Sequence, residues 1–431
     1  MKVRETMTID TEKLKSLLQV DLSKLYLWDK RKVALLCLYA GMVLVYFGSL
    51  HPWFLWPLKE LYPIPAAAIL FVGYLVSNSM EESIFPRRHF LWGLATYAVL
   101  TYYIIISGGQ NINAYIVNIA SIFTMFVALR SQMDILQQLC TVFCKAMAIL
   151  LVPSMFFFLL YLLGFPLPSV NLTFGDNQYS YSNYFFFMID DRYMMVFIPR
   201  FQSVFLEPGH LGSATSLLLM TQFGQWKRWW NVVLIVATVI SFSLAAYAII
   251  IALVFLGLWV QRKSIIKHVL LTVSFLTAVS LGAIFYNGGD NMLNTLILAR
   301  LEVDESTGDI VGNNRVDKDF EKEFDKFIVS SDAFLGRDMS KIAEGTGNSG
   351  YRVFIYQNGL LGLLLLLFFY AATFCHYRDV RYLLCAIVIA TLIFWIRGYP
   401  LWFSNCIPLL CAALSRYTPQ IVSPQQPAKD L

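Results

Sequence analysis

The chain has 431 residues, of which 58% are hydrophobic and 14% are charged, and its mean hydropathy is +0.60. Soluble domains carry about 25% charged residues, so this composition indicates a polytopic membrane protein. The net charge of +5 gives no indication of nucleic-acid binding, because the basic residues lie at the ends of apolar segments. The composition therefore excludes an ordinary soluble enzyme, and the charge is explained by membrane topology.

No cofactor or metal is implied by the sequence. All the cysteines lie in or beside apolar segments, without the spacing of a disulfide framework or of a zinc site. Motifs of nucleotide binding, serine hydrolysis and zinc proteolysis do not occur. The triplet Asp190-Asp191-Arg192 could offer oxygen ligands to a divalent cation, but such a pair of acids is more often a solvated turn.

A helix that crosses a bilayer needs about 20 apolar residues. On this basis the hydropathy pattern predicts an all-α polytopic membrane protein with about twelve transmembrane helices. The predicted spans are 33–50, 62–78, 90–107, 112–130, 142–164, 208–224, 229–243, 245–261, 267–286, 351–374, 382–396 and 399–415. Only Ser241-Phe-Ser separates the spans at 229–261, and a single long helix is the alternative there.

Lysine and arginine should be enriched in the short loops that face the cytoplasm. With the N-terminus inside, the predicted outer short loops hold only Lys59 and Arg397. The predicted inner loops hold Lys30, Arg31, Lys32, Arg87, Arg88, Arg130, Lys227, Arg228, Arg262, Lys263, Lys267, Arg378, Arg381 and Arg416. Both termini are therefore predicted to be cytoplasmic.

This topology divides the chain into a cytoplasmic N-terminal segment (1–32), a transmembrane domain (33–416) and a cytoplasmic tail (417–431). Two large loops, 165–207 and 287–350, would lie outside, and loops of this length are usually functional or disordered. The first has β-prone and aromatic runs, which favour short strands or an extended lid. The second contains VDKDFEKEFDKFI, whose apolar residues have helical spacing and predict an amphipathic helix.

The stretch RFQSVFLEPGHLG, from Arg200 to Gly212, places ionisable groups where an apolar span begins. Such groups at membrane depth are costly and are often functional. Proline suits the first position of a helix, so a helix that begins at Pro208 would have Glu207 near its N-cap. The alternative is a helix that begins near Phe201 and kinks at Pro208.

Two interpretations of this stretch compete. In the functional one, Arg200 binds an anion and Glu207 or His210 handles a proton, since the two are three residues apart and share a helix face. In the structural one, Arg200 sits at the membrane interface and pairs with Glu207, while Gly209 and Gly212 allow close helix contact.

The second outer loop and its exit contain Arg300, Arg315, Arg337 and Arg352. A guanidinium suits a diphosphate because its planar fork donates two hydrogen bonds and stays charged. Each of these arginines taken alone is more typical of a solvated surface residue, and it is as a group, with Arg200, that they are the predicted diphosphate-binding residues.

Three motifs together resemble the bacterial O-antigen and capsular polysaccharide polymerases, a Wzy-like family related to the O-antigen ligases. The first is an arginine followed by an acidic-proline step that opens a helix. The second is an outer loop with spaced arginines, and the third is a glycine-rich segment that leads into the next span. In this chain the motifs read Arg200…Phe205-Leu-Glu-Pro-Gly, Arg300…Gly312-Asn-Asn-Arg315 with Phe334-Leu-Gly-Arg337, and Asn348-Ser-Gly-Tyr-Arg352…Asn358-Gly-Leu-Leu-Gly362.

The resemblance implies a membrane-embedded glycosyltransferase without a metal. It would join oligosaccharide units carried on undecaprenyl diphosphate, on the outer face of the cytoplasmic membrane, with the lipid diphosphate as leaving group. Glu207 would be the base for the acceptor hydroxyl, with His210 as second choice, and arginines would neutralise the leaving group. Tyr179, Tyr181 and Tyr184 would bind sugar rings. A chain-length regulator and a flippase are the candidate protein partners, in surrounding membrane lipid and without nucleic acid.

Two other functions are alternatives at this point. A flippase or transporter of lipid-linked glycan would suit about twelve spans, but transporters often have internal repeats, and none is evident here. The O-antigen ligases typically have a histidine in the late outer loop, whereas this chain has none between His268 and His376. That departure disfavours a ligase, and His210, which is not part of the family pattern, keeps an open role.

Overall fold

The computed structural model describes residues 29–85, 91–108, 112–175, 179–191, 199–260, 265–291, 294–299, 301–303, 318–338, 350–374 and 380–415. Each predicted apolar segment coincides with an α-helix. The helices are α1 (Lys30–Gly48), α2 (Pro63–Asn78), α3 (Leu91–Ser107), α4 (Ile112–Arg130), α5 (Met133–Leu162), α6 (Pro208–Thr221), α7 (Trp229–Ile240), α8 (Leu244–Val260), α9 (Ile265–Phe285), α10 (Lys318–Ile328), α11 (Tyr351–Phe374), α12 (Val380–Arg397) and α13 (Phe403–Ser415).

By length and composition, 5 of the described helices could cross a membrane, or 6 if the bent pair Trp53–Leu61 and Pro63–Asn78 forms one span. The protein is thus a mostly helical membrane protein. The apolar segments Leu91–Ser107, Trp229–Ile240, Leu244–Val260 and Leu383–Ile396 are shorter, at 10–17 residues, so the predicted number of about twelve spans stays a prediction. The qualifying segments are Lys30–Gly48, Ile112–Arg130, Met133–Leu162, Val269–Gly289 and Tyr351–Phe374.

The segment 229–261 forms two helices, which settles the alternative left by the sequence. The chain turns between α7 and α8 at Ser241 to Ser243, where Phe242 has a φ of 46°. A bulky residue rarely adopts this left-handed conformation. At this turn the Ser241 hydroxyl donates a hydrogen bond to the Thr238 carbonyl at 2.7 Å.

Helix α6 lies at the centre of the described bundle. Every residue from Pro208 to Met220 is buried, and α5, α7, α8 and α13 contact the helix. Small residues such as Gly209, Gly212 and Ala214 let the neighbouring helices approach α6 closely. Its close approach to α8 depends on Gly212, where a Cβ would lie 2.5 Å from the Cβ of Ala246.

The first long loop contains the short strands that its sequence favours. Strands β1 (Val170–Phe174), β2 (Tyr179–Asn183) and β3 (Met188–Asp190) form an antiparallel sheet in the order β1-β2-β3. Phe174 pairs with Tyr179 across the first two strands, and Tyr181 pairs with Asp190 across the second two. A hydrogen bond from Met188 N to Ser203 O, at 2.8 Å, ties the sheet to the segment that leads into α6.

The amphipathic helix predicted in the second long loop is α10. Phe320, Phe324 and Phe327 are buried against Ile355 and Tyr356 of α11. Because these phenylalanines recur at helical spacing, one face of α10 is apolar and seals against the start of α11. The end of the second long loop is therefore held against the helical bundle through the packing of α10 on α11.

A substitution at Gly73 of α2 tests the close contact between α1 and α2. A Cβ on Gly73 would lie 2.8 Å from the Cβ of Cys37, whereas a Cβ on Gly282 of α9 would meet nothing within 4 Å. We expect Gly73→Ala to destabilise the protein by about 1–3 kcal/mol, because the added methyl group overpacks the contact. Thermal unfolding in detergent would measure this, with Gly282→Ala as the matched control. An equal or higher melting temperature for Gly73→Ala than for Gly282→Ala would contradict the observed contact.

Candidate functional site

Glu207 is the N-cap residue of α6, and Pro208 is the first residue of that helix. The carbonyl of Glu207 accepts hydrogen bonds from the backbone N–H groups of His210, at 3.0 Å, and Leu211, at 3.3 Å. The predicted start at Pro208 is therefore confirmed, and the alternative of a helix from Phe201 is wrong. The Glu207 side chain makes no capping hydrogen bond to the helix.

Glu207 and His210 come together on one face, as their spacing predicts. The Nε2 atom of His210 lies 4.0 Å from Oε2 of Glu207, which is ion-pair distance but too long for a hydrogen bond. The His210 side chain is 6% exposed, whereas the Glu207 side chain is 39% exposed. The carboxylate can thus meet a ligand from outside, while the imidazole is held inside the protein.

Aromatic side chains from distant parts of the chain surround His210. Trp402, just before α13, contacts the His210 ring edge-on, with centroids 5.1 Å apart. His51, which follows α1, lies 5.3 Å from Trp402 and 6.5 Å from His210, measured between ring centroids. Tyr399 stacks on Trp402 at 4.2 Å. Helices α1, α6 and α13 therefore meet at their ends around two imidazoles.

His51 occupies a constrained position in this group. Its φ is 52°, and its carbonyl accepts a hydrogen bond from Nε1 of Trp56 at 2.9 Å. Burial lowers the pKa of its imidazole below the ordinary 6.5, so the neutral form is favoured. No local motif connects position 51 with residues 210 and 402, so the sequence predicts no role for His51.

A small cavity opens beside His210. Its total empty volume is about 230 Å³, including space open to solvent, and its enclosed part has room for about one water molecule. Leu50 forms one apolar wall. The other lining residues are His210, Ser213, Tyr399, Trp402, Ser404 and Asn405. Polar side chains inside an aromatic wall are typical of sites that orient a small polar ligand.

Arg200 lies upstream of this cavity, in the segment that connects the sheet to α6. Its side chain is partly buried and interacts electrostatically with Tyr247 of α8. The next residue, Phe201, is fully buried, and its N–H donates to the carbonyl of Ile240 at 3.3 Å. The position of Arg200 is therefore fixed by α7 and α8.

The three tyrosines predicted to bind sugar have different surroundings. Tyr181 is fully buried, and its hydroxyl donates to the carbonyl of Leu206 at 3.1 Å. Tyr184 is partly exposed and stacks on Phe187 with ring centroids 4.8 Å apart. Tyr179 is also partly exposed. In this arrangement Tyr181 supports the backbone before Glu207, while Tyr179 and Tyr184 retain accessible surface.

Arg337 is held by acidic residues of its own loop. Its Nε atom lies 2.7 Å from Asp332 Oδ2, and its Nη1 atom lies 3.0 Å from Glu323 Oε1 in α10. The hydrogen bond with Asp332 raises the pKa of the guanidinium. The guanidinium also lies 5.7 Å from the ring centroid of Phe327. Arg337 therefore fastens α10.

Arg352 makes a second fastening at the start of α11. It forms an ion pair with Glu321 of α10 and lies 5.8 Å from the ring centroid of Phe324. The predicted diphosphate arginines thus divide into groups: Arg337 and Arg352 are paired with α10, and Arg200 is held on α7 and α8. Arg300 and Arg315 lie outside the described residues.

The acidic pair Asp190-Asp191 lies at the end of β3. Asp190 is buried, and Oδ1 of Asp191 accepts a hydrogen bond from the Ser182 hydroxyl at 3.2 Å. Arg192 lies outside the described residues. Within the described part of the chain, no three histidine, cysteine or acidic residues are grouped so that they could hold a metal ion.

A backbone contact connects the second long loop with the aromatic group. Gly398, at the end of α12, has a φ of 68°, and a Cβ on it would overlap the backbone of Gly350. Gly350 immediately precedes α11, and Gly398 immediately precedes Tyr399. The start of α11 and the Tyr399–Trp402 turn therefore touch through glycines.

Comparison with known proteins yields no significant match to a family model, a curated protein or a solved structure. The class is therefore defined by the fold itself: a mostly helical membrane protein with a carboxylate–imidazole pair at the start of a buried helix.

The lowered pKa of His51 predicts a pH effect on stability. The unfolded chain takes up a proton near pH 6.5, whereas folded His51 stays neutral to lower pH, so stability falls as the pH falls below about 6.5. We expect His51→Asn to reduce this loss, by up to about 1.4 kcal/mol per pH unit, because asparagine tolerates a positive φ and does not titrate. Thermal unfolding at pH 5 and pH 7.5 in detergent would measure it. An identical pH dependence in both proteins would contradict a neutral, buried His51.

Proposed function

We propose that the protein polymerises undecaprenyl-diphosphate-linked oligosaccharide units into O-antigen, capsule or exopolysaccharide on the outer face of the bacterial cytoplasmic membrane. The observation that carries the proposal is the half-exposed Glu207 carboxylate, 4.0 Å from the buried His210 imidazole at the start of α6. Its sequence surroundings are those that resemble the polysaccharide polymerases.

In the proposed reaction, a sugar hydroxyl of one lipid-linked unit attacks the anomeric carbon of another. A new glycosidic C–O bond forms, the C–O bond to the diphosphate breaks, and the lipid diphosphate leaves with the bonding electron pair. The proton of the hydroxyl passes to Glu207, which has the exposure that a base needs to reach a substrate. His210 is the second candidate, and its burial suits a role in positioning the carboxylate.

The leaving diphosphate gains negative charge, and fixed positive groups stabilise such charge. The positive end of the α6 dipole favours an anion, and Arg200 lies in the segment directly before that helix. Arg300 and Arg315 remain candidates for the same role. Arg337 and Arg352 are already matched by carboxylates of the α10 region, so we assign them to holding that helix.

The proposed setting is a bilayer crossed by about twelve helices, with both termini in the cytoplasm. In that topology the loops 165–207 and 287–350 face outward, as does the start of α6. This places the candidate base on the side where lipid-linked units would be joined. A flippase that delivers these units and a chain-length regulator are the partners that such a reaction needs.

Replacing Glu207 tests the base. We expect Glu207→Gln to lower the rate of chain elongation by about 10²–10⁴-fold, because glutamine keeps the shape but cannot accept the proton. The measurement is elongation of lipid-linked units by purified protein in proteoliposomes. The matched control is Glu60→Gln, since Glu60 is exposed and lies in the predicted short outer loop.

Several results would count against the polymerase. Elongation by Glu207→Gln at the wild-type rate would remove Glu207 as the base. Translocation of the lipid-linked unit without elongation by the wild type would favour a flippase. Transfer of glycan to a different final acceptor would favour a ligase.

Arginine substitutions test which arginines bind the leaving diphosphate. We expect Arg200→Ala and Arg315→Ala to abolish long glycan chains in cells while the protein still accumulates in the membrane, because the leaving group loses its cation. Arg337→Ala should leave the chain-length pattern largely intact and lower stability only slightly, since its ion pairs are partly exposed. Gel analysis of the polysaccharide with membrane immunoblots would measure both effects. Normal chain-length ladders in Arg200→Ala and Arg315→Ala would contradict the proposal.

A further inference from the structure

Two buried serines that the proposed base and diphosphate site do not use border the cavity beside His210. Ser213 of α6 and Ser404 of α13 both line it. Their residues are 4% and 0% exposed, and the Oγ atom of each lacks a hydrogen-bond partner among the described residues. Buried hydroxyls are nearly always paired, and leaving one unpaired destabilises a fold.

The unpaired state of Ser213 is not a general property of α6. The hydroxyl of Thr215 donates to the carbonyl of Leu211 at 2.8 Å, and that of Ser216 donates to the carbonyl of Gly212 at 2.7 Å. Such bonds to the preceding turn are the usual solution for serine and threonine in a helix. Ser213 lies beside these residues, borders the cavity and makes no such bond among the described residues. Two such hydroxyls at one cavity indicate a ligand that supplies their missing hydrogen bonds.

The size and the walls of the cavity restrict that ligand. The enclosed part holds a group of about the size of one water molecule, which is also the size of an alcohol group. The rings of Trp402 and Tyr399 form part of the wall. Hydroxyl groups next to aromatic rings match a sugar, which has polar edges and apolar C–H faces.

We infer that this cavity binds the hydroxyl-bearing edge of the acceptor sugar. One sugar hydroxyl enters the cavity and exchanges hydrogen bonds with Ser213 and Ser404. The adjoining edge of the ring then lies towards Glu207, whose carboxylate is 4.0 Å from the His210 ring that lines the same cavity. This inference rests on the proposed polymerase function and adds a specificity site that is separate from the tyrosines of the first loop.

Binding of two probes to the full-length protein in nanodiscs tests the inference. The first is the repeat-unit oligosaccharide, which mild acid releases from the lipid-linked precursor of the cells that make this protein. The second is undecaprenyl diphosphate without sugar. We expect Ser213→Ala and Ser404→Ala each to weaken oligosaccharide binding by about 3- to 10-fold, the loss of one hydrogen bond. Binding of undecaprenyl diphosphate should not change.

Ser154→Ala is the matched control. Ser154 of α5 is also 0% exposed with an unpaired Oγ atom among the described residues, but it does not line the cavity. The control should bind both probes as the wild type does. None of the three substitutions should lower the melting temperature, because each removes an unpaired buried hydroxyl. Ser213→Thr, which keeps a hydroxyl, should bind the oligosaccharide more tightly than Ser213→Ala.

The outcomes separate this inference from the proposed function. If the wild type elongates lipid-linked units but Ser213→Ala and Ser404→Ala bind the oligosaccharide as the wild type does, the inference is overturned and the polymerase stands. Equal weakening by Ser154→Ala also overturns it, because the effect would not depend on the cavity. A wild type that binds the oligosaccharide but does not elongate lipid-linked units contradicts the polymerase instead.

Discussion

The arrangement of this protein depends on the burial of α6. A helix surrounded by α5, α7, α8 and α13 lies in apolar surroundings, yet it begins with a glutamate and has a histidine in its first turn. An ionisable group in such surroundings needs a polar partner or access to water. Glu207 is partly exposed, and His210 is enclosed by Trp402 and His51. The start of α6 is therefore where the surrounding elements converge.

Several elements have their positions because of that convergence. The sheet of the first long loop braces the segment before α6 through Tyr181 and Met188. The turn before α13 brings Trp402 against His210. A charged corner at the end of a buried helix thus organises a loop that is otherwise remote from the bundle core. This supports the interpretation of this corner as a site, since a purely structural helix start could have been capped by a small polar residue.

The features that sequence reasoning predicted well are local ones. Hydrophobic runs located every described apolar helix, Pro208 located the start of α6, and the phenylalanine spacing located α10. Each follows from residues within a few turns of one another, where chain geometry is fixed by periodicity or by proline. The break at Ser241 to Ser243 was visible only as two serines, because the left-handed conformation of Phe242 has no sequence signature.

The features that escaped sequence reasoning depend on contacts between distant residues. Positions 51, 210 and 402 are brought together only by the fold, so neither histidine spacing nor an aromatic motif could have indicated the group. The partners of Arg337 and Arg352 are a subtler case. Glu321 and Glu323 are evident in the sequence of α10. A charge pattern, however, does not predict which arginine pairs with which glutamate across a loop.

The contact between Gly350 and Gly398 has a mechanical consequence. The backbones of Gly350 and Gly398 touch with no side chain between them. Because no side chain can adjust to absorb a movement, a displacement of one backbone also displaces the other. The start of α11, which bears the ion pair to α10, is thereby in rigid contact with the turn that carries Tyr399 and Trp402. A tilt of α10 would therefore shift the aromatic residues Tyr399 and Trp402 beside His210.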